Sequence, residues 1–365
     1  MDKGSYTMKS LYDSNDKFTA PGFHITIDGK KLDSSKYHIP TLEVEQRADG
    51  TAGGCTFTLE GQYDRESSSW SESLSSIVKA GAKLAVTGGY ANQKDLFYGY
   101  VDEYTLEFPE NSGTPRITVT GMDGLGFLMN QHKPVYGGKK KAAEVIKEIL
   151  NQSVSAGFAK KVTVGTLKEF QAPLVKEGGD DWRFLNLLAA RYGMTLFVLS
   201  GEMIFDNVAG QTSPILTLTL GTNLKSFEKR VSLARQVGKV EIRGRDVNQK
   251  PIKGEASSVS VGGSGKSAAQ LVPALKQSVL REFSELVRTQ AECTQLAQAR
   301  LDSIAMGLVS GKGRCVGVPQ LIPGRYITIE GGDAQTNGSY LLTKVRHIFE
   351  HEGYITEFEV KGAKI

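Results

Sequence analysis

The sequence predicts an α+β fold, mainly β, in which two antiparallel β regions flank a small α+β module. Three observations carry this expectation. Short β-prone runs separated by Gly-rich turns fill residues 21–123 and return after residue 212. Between them the apolar period lengthens to that of helices. Around residues 289–308 a second helical stripe interrupts the later β region. The division is therefore 1–123, then 124–211 with a helix at 180–192 and a hairpin at 195–205, then 212–365 with a flexible and helical insertion at about 256–308.

Composition bounds the reading. A chain of 365 residues exceeds one ordinary core, so two or three domains are expected. With 39% hydrophobic and 23% charged residues, it reads as a soluble globular protein. Its 44 Lys+Arg against 40 Asp+Glu leave only +4, interspersed, where a dedicated nucleic-acid binder would show a basic stripe. Cys55, Cys293 and Cys315 are odd in number and widely spaced, which speaks against metal and disulfide frameworks. Cys55 alternates with Phe57 and Leu59 and reads as a small buried apolar residue. Residues 1–18 are polar and lack the apolar core of a signal peptide. No uninterrupted apolar run reaches membrane-spanning length. Synthesis in the cytoplasm follows, with any export taking place as part of something larger.

In the first region, Phe23-His24-Ile25-Thr26-Ile27 runs into Asp28-Gly29, a hairpin signal. Strands follow at residues 41–46, 55–59, 83–87, 96–106 and 116–120, which implies an antiparallel barrel or sandwich. Residues 141–150 place Ala142, Val145, Ile146, Ile149 and Leu150 on one helical face. The run Lys139-Lys140-Lys141 beside it reads as a solvated loop.

The stretch at 179–198 is a capped helix running straight into a buried strand. Asp180 or Asp181 can accept the orphan N–H groups of the first turn. Trp182, Leu185, Leu188, Ala189 and Tyr192 form the apolar face, and Gly193 is the left-handed stop. Residues 195–199, the turn Ser200-Gly201-Glu202 and residues 203–205 make the hairpin that the helix packs on, with Trp182 as its largest core side chain.

Strand patterns resume at 214–220 and 237–243, and residues 257–267 read as a Ser/Gly-rich connector. Gly262-Gly263-Ser264-Gly265-Lys266-Ser267 imitates a phosphate loop, yet the first position of that frame is Ser260 rather than Gly. Pro273 also breaks the helix whose N-terminus would hold the phosphate, so no nucleotide is expected. In the helix at 289–308, Ala297, Leu301, Ile304, Ala305 and Leu308 face inward, while Glu292, Gln295, Gln298 and Arg300 form the wet side. From residue 311 the chain is strand again.

No motif carries catalysis. His24, His38, His132, His347 and His351 lack metal-ligand spacing, and no Gly-x-Ser-x-Gly elbow is present. His347 shares parity with Val345 and Phe349 and reads as a core or interface residue. Carboxylate pairs for glycoside hydrolysis are a matter of geometry, not spacing. No cofactor, metal or catalytic residue is expected.

The motifs do resemble one family. Asp181, Trp182, Phe184, Leu185 and Gly193, in an Asp-Trp-x-Phe-Leu frame followed by a hydrophobic strand, look like the central signature of tail-hub proteins. These are the baseplate hubs of contractile phage tails (the late-control D family) and the VgrG spikes of type VI secretion. An unrelated helix packed on a sheet is the alternative for that motif alone. The C-terminal order is more specific: Ala297, Ala299 and Leu301, then Gly317-Val318-Pro319, then Leu321, Pro323 and Gly324. Asn337-Gly338-x-Tyr340, Thr343-x-Val345-x-His347 and Tyr354, Thr356 and Phe358 complete it. This is similar to the hub family's second barrel, and residues 83–101 are similar to its first. Within it, Pro323-Gly324 sets a tight turn and Gly338 a conformation that other residues resist.

The resemblance implies two antiparallel β-barrel regions flanking the α+β module, and a homotrimer whose barrels form a pseudo-sixfold ring. That ring would join the tail tube to a spike among other baseplate proteins, with DNA or effector passing through the channel without specific binding. Hub chains that carry their own needle continue past the last hub strand, whereas this one stops at Ile365, which implies a separate spike protein. The expected location is a virion tail or injection particle, with no membrane insertion by this chain. Two rivals from other classes are a tail-tip cell-wall hydrolase and a carbohydrate-binding β protein.

Overall fold

Period-two burial builds most of the molecule. In the strand Leu42–Arg47, Leu42, Val44 and Gln46 point inward while Glu43, Glu45 and Arg47 are more open. The same alternation runs through Arg116–Met122, Val309–Val316 and Gly353–Gly362. In the computed structural model, residues 4–32, 37–60, 63–64, 66–70, 77–110 and 115–365 are described.

The protein is mainly β, and its largest sheet has 13 strands. Its path begins at Leu224–Val231, passes through Val309–Val316, Gly353–Gly362 and Gly338–Glu350, and then crosses to Leu42–Arg47. It continues through Gly54–Glu60, Arg116–Met122, Lys94–Glu107, Lys83–Gly89 and Gly22–Ile27 to Lys30–Lys31. The two β regions, distant in sequence, thus share one sheet, and its two ends do not pair with each other among the described residues. They meet where Val345, His347 and Phe349 oppose Gln46, Val44 and Leu42 in antiparallel register. Each half keeps its own core, around Phe57, Leu84 and Ile117 on one side and Leu216, Ile327 and Leu342 on the other.

Two hairpins owe their turns to positive φ at both central residues, as right-handed strand twist favours. Asp28 and Gly29 (φ 47° and 78°) link Gly22–Ile27 to Lys30–Lys31, and Ser200 and Gly201 (47° and 89°) link Thr195–Leu199 to Glu202–Asp206. The second hairpin takes Lys161–Val164 as a parallel third strand. The helices Ala142–Ser155 and Asp181–Tyr192 bury Ile146, Leu150, Leu185 and Leu188 in the same cluster as Leu196 and Phe205.

Several expectations need correction. The strand Lys239–Arg245 lies outside the large sheet and pairs instead with Pro251–Ala256 and Val279–Phe283 in a three-stranded sheet. The helix Gln290–Ala305 packs on that sheet, and its core merges with that of the central module through Val240, Ile242, Cys293 and Ala297. Gly254 permits this, since a Cβ there would strike the helix backbone at Thr294. The Ser/Gly-rich run at 257–267 is packed rather than a loose tether: Val261 is buried and the Ser260 amide donates to Asp302 at 2.8 Å. Glu292, expected on the wet side, is buried. Its carboxylate closes a capping box at Thr289 and accepts the Gln171 amide at 2.6 Å. The polar N-terminus contains a short helix, Met8–Ser14, that buries Leu11. Among the described residues, no helix is long and apolar enough to cross a membrane.

Candidate functional site

The central helix assembles a polar junction from its first turn. Asp180 is the N-cap, accepting the Arg183 amide at 2.7 Å. Asp181 turns inward instead. It is buried and ion-paired with the equally buried Lys176, and it accepts Gln152 Nε2 at 2.7 Å. This pair ties the short strand Val175–Lys176 to the helix, and removal of either partner would strand a buried charge.

Trp182 corrects the packing expectation. It lies at the margin of the core, half-buried, and its Nε1 donates to the Gly50 carbonyl of the first β region at 2.7 Å. Asn186, one turn on, donates to the same carbonyl at 3.0 Å. Gly50 has φ 85°, and a Cβ there would strike Asn186 Oδ1, so the turn is made for this clamp. Asp123 completes it from below. Its buried carboxylate accepts the Gly53 amide at 2.7 Å and the Leu125 amide at 2.9 Å. Burial pushes the Asp123 carboxyl up to about 7, against the pull of those two N–H groups. Of the remaining signature residues, Phe184 is half-buried, Leu185 is fully buried, and Gly193 ends the helix in the left-handed conformation (φ 64°).

The C-terminal signature residues lie elsewhere, in the second half of the large sheet. Gly317 sits against the Tyr354 ring, where a Cβ would clash. Pro323 is buried, and Gly324 (φ 80°) donates its amide to the Leu342 carbonyl at 2.8 Å. Gly338 has a φ of 158°, a backbone conformation that residues with side chains rarely adopt. Tyr340 is buried and donates to the Thr336 carbonyl at 2.6 Å. His347 is fully buried, with Nδ1 2.7 Å from Tyr354 Oη and 3.4 Å from Thr356 Oγ1. Burial lowers it to about 3, so it is neutral near pH 7.

The signature residues therefore form two structural groups rather than one reaction centre. Asp123, Asn186 and Gly50 were missed in the sequence. The one available signal was Gly50 at a turn, which does not reveal its partners. The phosphate-loop imitation is otherwise engaged: the backbone of Lys266 pairs in both directions with Ile365, at 2.7 and 3.1 Å. The helix that follows, Ala268–Leu271, is only one turn long. Lys140 is paired with Glu148 at 2.8 Å. Among the described residues, no group of three or more His, Cys, Asp or Glu is arranged to hold a metal ion.

A protein-family model described as the Alg8 N-terminal domain matches residues 17–351. The chain belongs to that family. No curated protein matches the sequence. Among solved structures, the chain is similar to the tail protein from Neisseria meningitidis, with TM-score 0.67 and 12% identity, covering 94% of this chain and 96% of that one. It is also similar to the prophage MuSo2 43 kDa tail protein from Shewanella oneidensis, with TM-score 0.64 and 17% identity over 93% and 97%. A third is the E. coli c3393 protein, described as a component of the type VI secretion system with structural similarity to the T4 bacteriophage tail proteins gp27 and gp5. It matches with TM-score 0.56 and 14% identity over 93% and 76%. At these identities the shared property is the fold.

Proposed function

We propose that this chain is a structural hub of a contractile tail or contractile injection system. The observation that carries the reading is a fold shared along 94% of the chain with a protein described as a tail protein. The tail-hub motifs around Asp181 and Gly317 point the same way. On this reading residues 1–123 and 212–365 are the two barrel regions and 124–211 the module between them. Their joining in one sheet supports a rigid unit that can bear load. Three copies form a pseudo-sixfold ring that connects the tail tube to a separate spike and takes part in baseplate assembly. The role is architectural rather than catalytic. DNA or effector passes through the channel without specific binding, and the particle is a virion tail or an injection machine. Light scattering on the purified chain, alone and with its tube and spike partners, tests this. A trimer is expected in at least one of those conditions, and a stable monomer or dimer in all of them would overturn the reading.

A further inference from the structure

The three-stranded sheet of Lys239–Arg245, Pro251–Ala256 and Val279–Phe283 has one face covered by the helix Gln290–Ala305 and the other open. On the open face Lys239, Arg243, Arg245, Lys253 and Arg281 oppose only Glu241 and Glu255, a net charge of +3 from five cations and two carboxylates. Glu255 is taken by Lys239 at 3.2 Å, and Glu241 by Arg243 at 2.7 Å and Arg281 at 3.7 Å. Arg243 stands directly across from Lys253, a like-charge pair that disfavours the bare face. Phe283, next in the same row, is 60% exposed at the rim of a concavity of about 480 Å³. Val247 at the hairpin tip is 71% exposed. Basic groups ringing apolar ones suit an acidic segment with apolar anchors.

The same chain carries such a segment. The strand Lys94–Glu107 outruns its neighbour Lys83–Gly89, whose pairing ends at Tyr100. Beyond that, among the described residues, only Arg116–Met122 flanks residues 102–107, so one backbone edge is open. This overhang presents Asp102, Glu103 and Glu107 together with exposed Tyr104 and Leu106. Glu107 is engaged by Arg116 at 2.6 Å, which leaves Asp102 and Glu103 as the outward charges.

We propose that the overhang at residues 102–107 of one copy docks on the basic face around Arg243, Lys253 and Phe283 of a second copy. The two patches differ, so the contact is head-to-tail, the kind that closes into a ring. The proposal rests on the ring reading and assigns its interface. A nucleic acid is the weaker occupant, because the cations are confined to one small sheet and share its open face with Glu241 and Glu255.

Charge reversal on the full chain tests the contact, with light scattering for association and thermal melting for folding. Arg243→Glu with Lys253→Glu, or Asp102→Lys with Glu103→Lys, should each weaken association about 10- to 100-fold while leaving melting unchanged. A chain with all four substitutions restores every joint and should associate again, yet fail to mix with the wild type. Raised salt should weaken the wild-type contact. An unaltered wild-type oligomer in both reversal variants, or no recovery in the fourfold variant, overturns this interface and leaves the ring reading standing. Monomers in every condition, including with tube and spike proteins, remove both. Oligodeoxythymidylate binding that is lost with Arg243→Glu and Lys253→Glu, without any change in association, would give the face to a nucleic acid instead.

Discussion

Among the seams that join the first β region to the rest of the molecule, two are made of different things. One is the strand pair in which Leu42–Arg47 lies along Gly338–Glu350, a backbone ladder roofed by buried Leu42, Val44 and Phe349. The other is the clamp at Gly50 and Gly53, where Asp123, Trp182 and Asn186 satisfy named backbone atoms with side-chain groups. A ladder draws on groups that every non-proline residue owns, so it tolerates any well-packed apolar sequence. A clamp depends on particular atoms in particular places. The clamp therefore depends on a few named side chains, and the ladder on its packing.

The ladder should break first when its packing is hollowed out. Leu42 is fully buried between the two halves, and Leu42→Ala is expected to cost about 2–5 kcal/mol in chemical denaturation. A loss under about 1 kcal/mol would show that the seam closes around the cavity and that the ladder is no stronger than the clamp.

The clamp should give less. A fully buried indole would cost about 3–5 kcal/mol on truncation, but Trp182 is half-buried and donates a single hydrogen bond. Trp182→Ala is therefore expected to cost about 2 kcal/mol. Faster amide exchange at Gly50 and Gly53 should accompany that loss. Exchange that stays slow at both glycines would mean the indole does not hold the turn.

Per pH unit the effects of titration are smaller, and they have opposite signs at the two seams. His347 under the ladder falls from an ordinary 6.5 to about 3 in the folded protein. Between those values the unfolded chain binds the extra proton, so this contribution is full above pH 6.5 and is lost as pH falls toward 3. Asp123 in the clamp rises from 3.8 to about 7. There the folded chain binds the extra proton, so stability falls as pH rises through that window. Each slope is at most about 1.4 kcal/mol per pH unit. Relative to wild type, His347→Gln should gain as the solution is acidified below pH 6.5, and Asp123→Asn should gain as it is made more basic between pH 4 and 7. Parallel pH profiles for wild type and variant would exclude the residue concerned as the source.

Local patterns were legible because local physics sets them. The helix Asp181–Tyr192 shows its cap, its apolar period and its left-handed stop in the residues themselves. Ser200-Gly201 and Asp28-Gly29 announce their hairpins in the same way. Charged positions were misjudged where tertiary partners overrode them. Glu292 looked wet because helical spacing cannot see the Gln171 amide that it serves. The edge strand Leu224–Val231 escaped notice because Lys225, Glu228, Lys229 and Arg230 hide its alternation.

By itself, then, the sequence determined the mainly β class, the capped helix, the hairpins and the order of the C-terminal strands. These follow from backbone propensity and from apolar periods a few residues long. Only the tertiary structure decided that the two β regions share one sheet and that residues 239–305 leave it for a sheet of their own. It also decided that Trp182 sits at the margin of the core and bonds the turn at Gly50. Such pairings bring together residues 303 positions apart, as between Glu43 and Arg346, and any register among apolar strands would look equally good locally. What selects one is the fit of bodies: a glycine where two backbones meet, and a carboxylate where two amides would otherwise go unpaired.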